Sequence, residues 1–183
     1  MEKKGNIVFC HGFNVRDNGA GTIDQLIPYV EHRNVLHGDY GHFNLLGVRY
    51  YNKNVARTIA GMTPPDTIGV GHSNGCAVLL MAAEFGAKLD RLILINPALD
   101  KDTVFPQQIK RIDIFHNKYD NTVWWSKWLL FHKWGAMGKD GSTTGDYRVH
   151  NHETHELFGI KGHSAIFDVS GRLADYIKKE LIE

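Results

Sequence analysis

Five residues, Gly71-His72-Ser73-Asn74-Gly75, read G-x-S-x-G. Their surroundings give the pattern mechanical meaning. Thr67-Ile68-Gly69-Val70 is short and apolar and follows Pro64-Pro65-Asp66, while Asn74 to Phe85 is rich in Ala, Leu and Met without a proline. The order is strand, tight turn, helix. A serine at the apex of such a turn sits in a strained backbone conformation with its hydroxyl projecting above the sheet. The flanking glycines are needed because strand and helix close on each other there. A plainer reading has Ser73 capping the following helix. Its partners elsewhere in the chain must decide.

Ligands of a parallel α/β sheet bind at the carboxyl ends of the strands, so the polar residues just beyond each strand are the ones to inspect. His11-Gly12-Phe13 follows the first strand, and Asn117-Lys118-Tyr119-Asp120 the fifth. A histidine-rich loop ending in Gly162-His163-Ser164 follows the sixth. Serine, acid and histidine therefore occur in that order, each beyond a strand end. Every member has a rival. Asp120-Asn121 also suits a simple turn, with Asp100 and Asp102 as alternative acids. His163 also suits a surface position ahead of a helix capped by Ser164, with His150, at a strand end, as a rival base.

On His11-Gly12-Phe13, Gly71-His72-Ser73-Asn74-Gly75, Asp120 and Gly162-His163, the sequence resembles the α/β-hydrolase superfamily over nearly its whole length. The resemblance implies a small esterase-like member. Ser73 would then be the nucleophile, His163 the general base and later acid, and Asp120 the orienting carboxylate. The backbone N–H groups of Phe13 and Asn74 would form the oxyanion hole. His11, His72, Trp124 and Trp128 are candidates for contact with a small acyl substrate. The chemistry needs each part: a serine hydroxyl is a weak nucleophile until a base takes its proton, and imidazole titrates near neutrality. The acid fixes the imidazole tautomer, and two N–H donors stabilise the tetrahedral oxyanion. No metal or organic cofactor is required.

The elements must bring these residues together. Strands are expected at Ile7–Cys10, Asn44–Tyr50, Thr67–Val70, Arg91–Asn96, Arg111–His116 and Asp146–His150. Helices are expected after Thr22 as N-cap (Ile23, Leu26, Ile27 and Val30 on one face), near Val55–Met62, over Asn74–Phe85, and over Ser164–Leu181. Asn34–His42 reads as loop. Continuous apolar strands separated by helices call for a mostly parallel sheet covered on both faces. The expected architecture is a three-layer α/β/α sandwich of about six strands. Relative to the superfamily the chain is short, with no room for the extra strands that often precede the first one here.

Composition bounds the function. The 183 residues suit one domain, 1–183, and 21 Lys and Arg against 20 Asp and Glu give no charge bias toward nucleic acid or anionic membrane. The start, Met-Glu-Lys-Lys-Gly-Asn, leads into too short an apolar run for a signal peptide, and no segment is long enough to span a membrane. Cys10 and Cys76 fall in core elements and are expected to be free buried thiols in a reducing compartment, and the cytoplasm follows by default. Oligomeric state is not legible.

Two stretches stand outside the regular alternation. The insert at 122–146 holds all four tryptophans, Trp124, Trp125, Trp128 and Trp134, with Leu129, Leu130 and Phe131. It reads either as a cap presenting an apolar wall to an acyl or aromatic group or as a helix packed on the sheet. His150-Asn151-His152-Glu153-Thr154-His155 offers imidazoles to a divalent metal but lacks H-E-x-x-H spacing. A solvated loop is the plainer reading. Three functions remain open: an acyl-enzyme serine hydrolase acting on esters, thioesters or amides; a non-catalytic small-ligand binder of the same fold; and a metal-dependent protein using the histidine loop.

Overall fold

A computed structural model of the protein describes residues 5–13, 17–30, 32–38, 48–121 and 135–178. Six strands form one sheet: β1 (Asn6–Cys10), β2 (Asn34–His37), β3 (Thr67–His72), β4 (Leu89–Ile95), β5 (Arg111–His116) and β6 (Val149–Glu153). They lie in the order β2-β1-β3-β4-β5-β6, and all neighbours run parallel.

Alternation along the strands sorts their side chains into two cores. Val8, Cys10, Leu92, Leu94, Ile112 and Ile114 face α1 (Val48–Met62) and α2 (Asn74–Glu84). Ile7, Phe9, Ile93, Ile95 and Phe115 face the opposite layer. That layer is a 3-10 helix at Ile23–Tyr29 and another at Ala165–Val169, which runs into an α-helix at Ser170–Ile177. The three-layer α/β/α sandwich follows from strands buried on both faces. Cys10 and Cys76 are free and buried.

The local expectations need five corrections. Of the strand expected at Asn44–Tyr50, residues 44–47 lie outside the described residues, and Val48, Arg49 and Tyr50 open α1. Their β-branched and aromatic side chains suggest extended chain, yet buried Asn52, Ala56 and Ile59 follow at helical spacing. The second strand among the described residues is Asn34–His37, which had read as loop. It is a four-residue sheet edge with no fully buried residue, so no apolar run announces it. Thr22 makes no side-chain capping bond, and the segment after it is 3-10 because Pro28 cannot donate to an α-helical ladder. β6 begins at Val149, since the Val149 N–H closes a turn on the Asp146 carbonyl at 2.9 Å, and it runs to Glu153, so the stretch expected as a histidine-rich loop is strand and then a short helix at Thr154–Phe158. The closing helix is divided at Val169–Ser170 into a 3-10 and an α segment.

The topology also says where a site can form. From β1 the chain moves outward to β2, then crosses back to β3 on the other side of β1. The strand order thus reverses between β1 and β3, and a crevice opens at their carboxyl ends. Ser73 and the His11–Phe13 loop both lie at that point. Among the described residues no helix is long and apolar enough to cross a membrane.

Candidate active site

Ser73 occupies the turn between β3 and α2 with φ 54° and ψ −120°. Non-glycine residues seldom adopt positive φ, at a cost of about 1–3 kcal/mol. The turn is held from three sides: the Ser73 N–H donates to the Ile95 carbonyl at 2.9 Å, and the Ser73 carbonyl accepts from Cys76 and Ala98 at 3.2 and 3.1 Å. Although Ser73 stands at the N-cap position, its side chain makes no capping bond. The hydroxyl is not spent on the helix.

Close approach explains the glycines. A Cβ on Gly75 would lie 2.1 Å from the Cys10 carbonyl oxygen, and one on Gly71 2.9 Å from the Cys76 nitrogen. α2 is thereby seated on the end of β1 as well as on its own strand. A Cβ on Gly12 would lie 3.2 Å from the Ser73 Cβ, so the loop carrying Phe13 runs directly beside the serine. Asn74 opens α2, where helix N–H dipoles converge. Its buried side chain exchanges two 3.0 Å hydrogen bonds with Asn52 of α1, which pins the first turn of α2.

Beyond β5, Asp120 is fully buried, and its Oδ2 lies 2.7 Å from Nδ1 of His163, a side chain 14% exposed. A carboxylate oxygen accepts, so Nδ1 carries a proton, and in the neutral ring Nε2 keeps the lone pair. Among the described residues the Ser73 hydroxyl makes no hydrogen bond to His163; in unliganded sites such contacts are often long. Neither Asp100 nor Asp102 hydrogen-bonds to His163; the acid that does is Asp120.

Asn117 shapes the acid turn, and sequence reasoning passed over its role. Its carbonyl accepts from the Asp120 N–H at 2.8 Å, and its Oδ1 from the Tyr119 N–H at 2.9 Å. Its Nδ2 donates to Thr154 Oγ1 and to the Ile160 carbonyl, at 2.9 and 3.2 Å. One buried amide thus joins the loops that carry the acid and the histidine. Glu153 adds to the brace by accepting from the N–H groups of Lys118, His155 and Glu156. Burial works against its charge, but these bonds outweigh it and hold its pKa below the usual value.

The other expected residues are placed as follows. His11 and His72 are both buried, and the His72 ring lies 4.9 Å from the His163 ring. Burial first, then the neighbouring His163, lowers the His72 pKa to about 3, so this imidazole is neutral. Trp124 and Trp128, with the rest of 122–134, lie outside the described residues. His150 is exposed within β6 opposite Asp113, away from the carboxyl end.

The histidine stretch is divided among separate partners. His152 Nε2 lies 3.1 Å from Asp113, and His155 Nδ1 donates to the Ile160 carbonyl at 3.0 Å. Burial opposes the Asp113 charge, but hydrogen bonds from His152 and Arg111 prevail and lower its pKa. Among the described residues no three His, Cys, Asp or Glu side chains are grouped to hold a metal ion.

No protein-family model and no curated protein matches the sequence. Solved structures do match in shape. Mouse alpha/beta hydrolase domain-containing protein 10 aligns over 95% of this chain and 90% of its own, with 17% identity and TM-score 0.58. A pyrethroid hydrolase from Sphingobium faniae aligns over 96% and 97%, with 15% identity and TM-score 0.59. Est1E from Butyrivibrio proteoclasticus, solved with ferulic acid, aligns over 100% and 92%, with 14% identity and TM-score 0.56. Such identities speak for the fold. With six parallel strands in this order and these neighbours, the chain has the α/β-hydrolase fold, that of the superfamily its sequence resembles.

Proposed function

We propose that the protein is a serine hydrolase that cleaves a carboxylic ester of a small acyl substrate through an acyl-enzyme. The observation that carries this reading is the 2.7 Å bond from His163 to buried Asp120, formed on the same strand-end rim as the strained Ser73 turn. The Nε2 lone pair of His163 takes the Ser73 proton as Oγ attacks the ester carbonyl. The resulting oxyanion is stabilised by the N–H groups of Phe13 and Asn74. His163 then returns the proton to the leaving alkoxide as the C–O bond breaks. Water, deprotonated by His163, attacks the acyl-enzyme in the second half and releases the carboxylic acid. Thioesters and amides fit the same steps.

The fold neighbour named as a pyrethroid hydrolase adds support, although a fold alone does not confer activity. The test is labelling by a fluorophosphonate probe with peptide mapping, alongside hydrolysis of p-nitrophenyl acetate and butyrate. Label on Ser73 that disappears in Ser73→Ala, together with ester turnover, is the expected result. Label that survives that substitution removes the proposal.

A further inference from the structure

Asn96, at the end of β4, carries two costs that call for a return. It is fully buried with φ 43°, and its Oδ1 has no hydrogen-bond partner among the described residues. Left-handed backbone and an unsatisfied buried acceptor each disfavour the folded state. The return is made at the other end of the amide, where Nδ2 donates to the main-chain carbonyl of His163. His72 Nε2 lies 3.4 Å from the same oxygen. A carbonyl only accepts, so His72 holds its proton on Nε2, and its buried Nδ1 has no partner among the described residues.

Two donors therefore converge on the backbone of the residue whose ring must be aimed. That backbone has little else to hold it. Residues 159–164 lie between the helix at Thr154–Phe158 and the 3-10 turn at Ala165 and have no regular structure. Asn117 and His155 tie this loop at the Ile160 carbonyl, and Asn96 with His72 ties it again at His163. Asn96 is itself rooted in the sheet, its N–H donating to the Phe115 carbonyl of β5 at 2.7 Å. A single bond to Asp120 leaves the imidazole free to swing about that contact. Fixing the carbonyl as well removes the freedom.

We propose that Asn96, seconded by His72, is a positioning residue for His163: it clamps the histidine carbonyl so that Nδ1 meets Asp120 and Nε2 is presented to Ser73. The kinetic consequence rests on the serine-hydrolase reading, whereas the clamp itself does not.

Two substitutions at Asn96 test it. Asn96→Asp keeps size and tolerance of left-handed backbone but turns an acceptor toward the carbonyl. Asn96→Gly deletes the amide while relieving the positive φ. The first readout is the low-field proton NMR resonance of the His163 Nδ1–H bonded to Asp120, which needs no activity. The second is kcat against KM on p-nitrophenyl butyrate. Both variants should broaden or shift the resonance and lower kcat by about 10- to 100-fold, the scale of an ångström-sized misplacement, with little change in KM. Asn96→Gly should melt no lower than the wild type. His72→Phe should show a smaller loss, and His72→Gln, whose amide nitrogen replaces Nε2, should recover most of it.

An unmoved resonance with wild-type kcat in both Asn96 variants overturns the proposal. If Asn96→Asp does not fold, Asn96→Gly decides; if neither folds, Asn96 is a structural residue and the proposal is again overturned. A wild type without ester turnover defeats the hydrolase reading, and the resonance still judges the clamp.

Discussion

Asp120 Oδ2 and His163 Nδ1 meet at 2.7 Å although 43 residues separate them in the chain. Both loops are tied to one buried side chain, since Asn117 Oδ1 accepts from the Tyr119 N–H beside Asp120 and its Nδ2 donates to the Ile160 carbonyl. The acid and the imidazole are thus registered by a shared brace as well as by their own bond.

That bond sets the first expectation. Asp120→Asn retains the shape of the side chain but presents a donor or a weaker acceptor to Nδ1, so the tautomer with its lone pair on Nε2 is no longer favoured. Turnover should fall by about 10⁴-fold. Asp100→Asn and Asp102→Asn should stay near the wild type. Ester hydrolysis by the three purified variants decides between them, and an active Asp120→Asn would remove Asp120 from the mechanism.

The strained serine makes a stability prediction opposite in sign to its activity prediction. Ser73→Gly accepts φ 54° without steric penalty, whereas Ser73→Ala keeps the strain. Both variants should be inactive. Relief of about 1 kcal/mol should raise the melting temperature of Ser73→Gly by about 2–4 °C over Ser73→Ala. Circular-dichroism melts showing no difference would mean that the turn stores no strain.

Glycines that look alike in the sequence should respond oppositely to alanine. Gly75→Ala forces a methyl to 2.1 Å from a backbone oxygen of β1 and should cost about 3 kcal/mol or more. Gly61, within α1, has nothing within 4 Å of its would-be Cβ. Gly61→Ala should stabilise by about 0.5–1 kcal/mol, the helix preference of alanine over glycine. Urea titrations measure both.

His72 predicts a pH dependence of stability. Its folded pKa of about 3 lies below the ordinary 6.5, so between those values the unfolded chain binds a proton that the folded chain does not. Stability therefore rises with pH through that window and is lost as pH falls through it. The lowered Asp113 and Glu153 act in the same direction, but only below the ordinary carboxylate range, under about pH 4.5. His72 should contribute to the slope between pH 6 and 5, and His72→Phe should reduce it. An unchanged slope in urea unfolding at pH 6, 5.5 and 5 would show that His72 is not held neutral by the fold.

The sequence alone determined the six-strand α/β plan, the β5 limits at Arg111–His116, and the order in which serine, acid and histidine follow strand ends. Those features are local: a strand covered on both faces must be apolar throughout, and a tight strand-turn-helix needs small residues beside its serine. Edge strand β2 escaped because Asn34-Val35-Leu36-His37 buries too little to leave a pattern. α1 was legible only from Val55 onward because its opening residues have β propensity, which tertiary packing overrides. Only the tertiary structure shows that Asp120, rather than Asp100 or Asp102, is hydrogen-bonded to His163, and only it disclosed the contacts of Asn117 and Asn96. In sequence Asn117 is one polar residue after a strand, and Asn96 an asparagine before a proline. What each does depends on the carbonyls it reaches across the fold, and those partners lie 43 and 67 residues away.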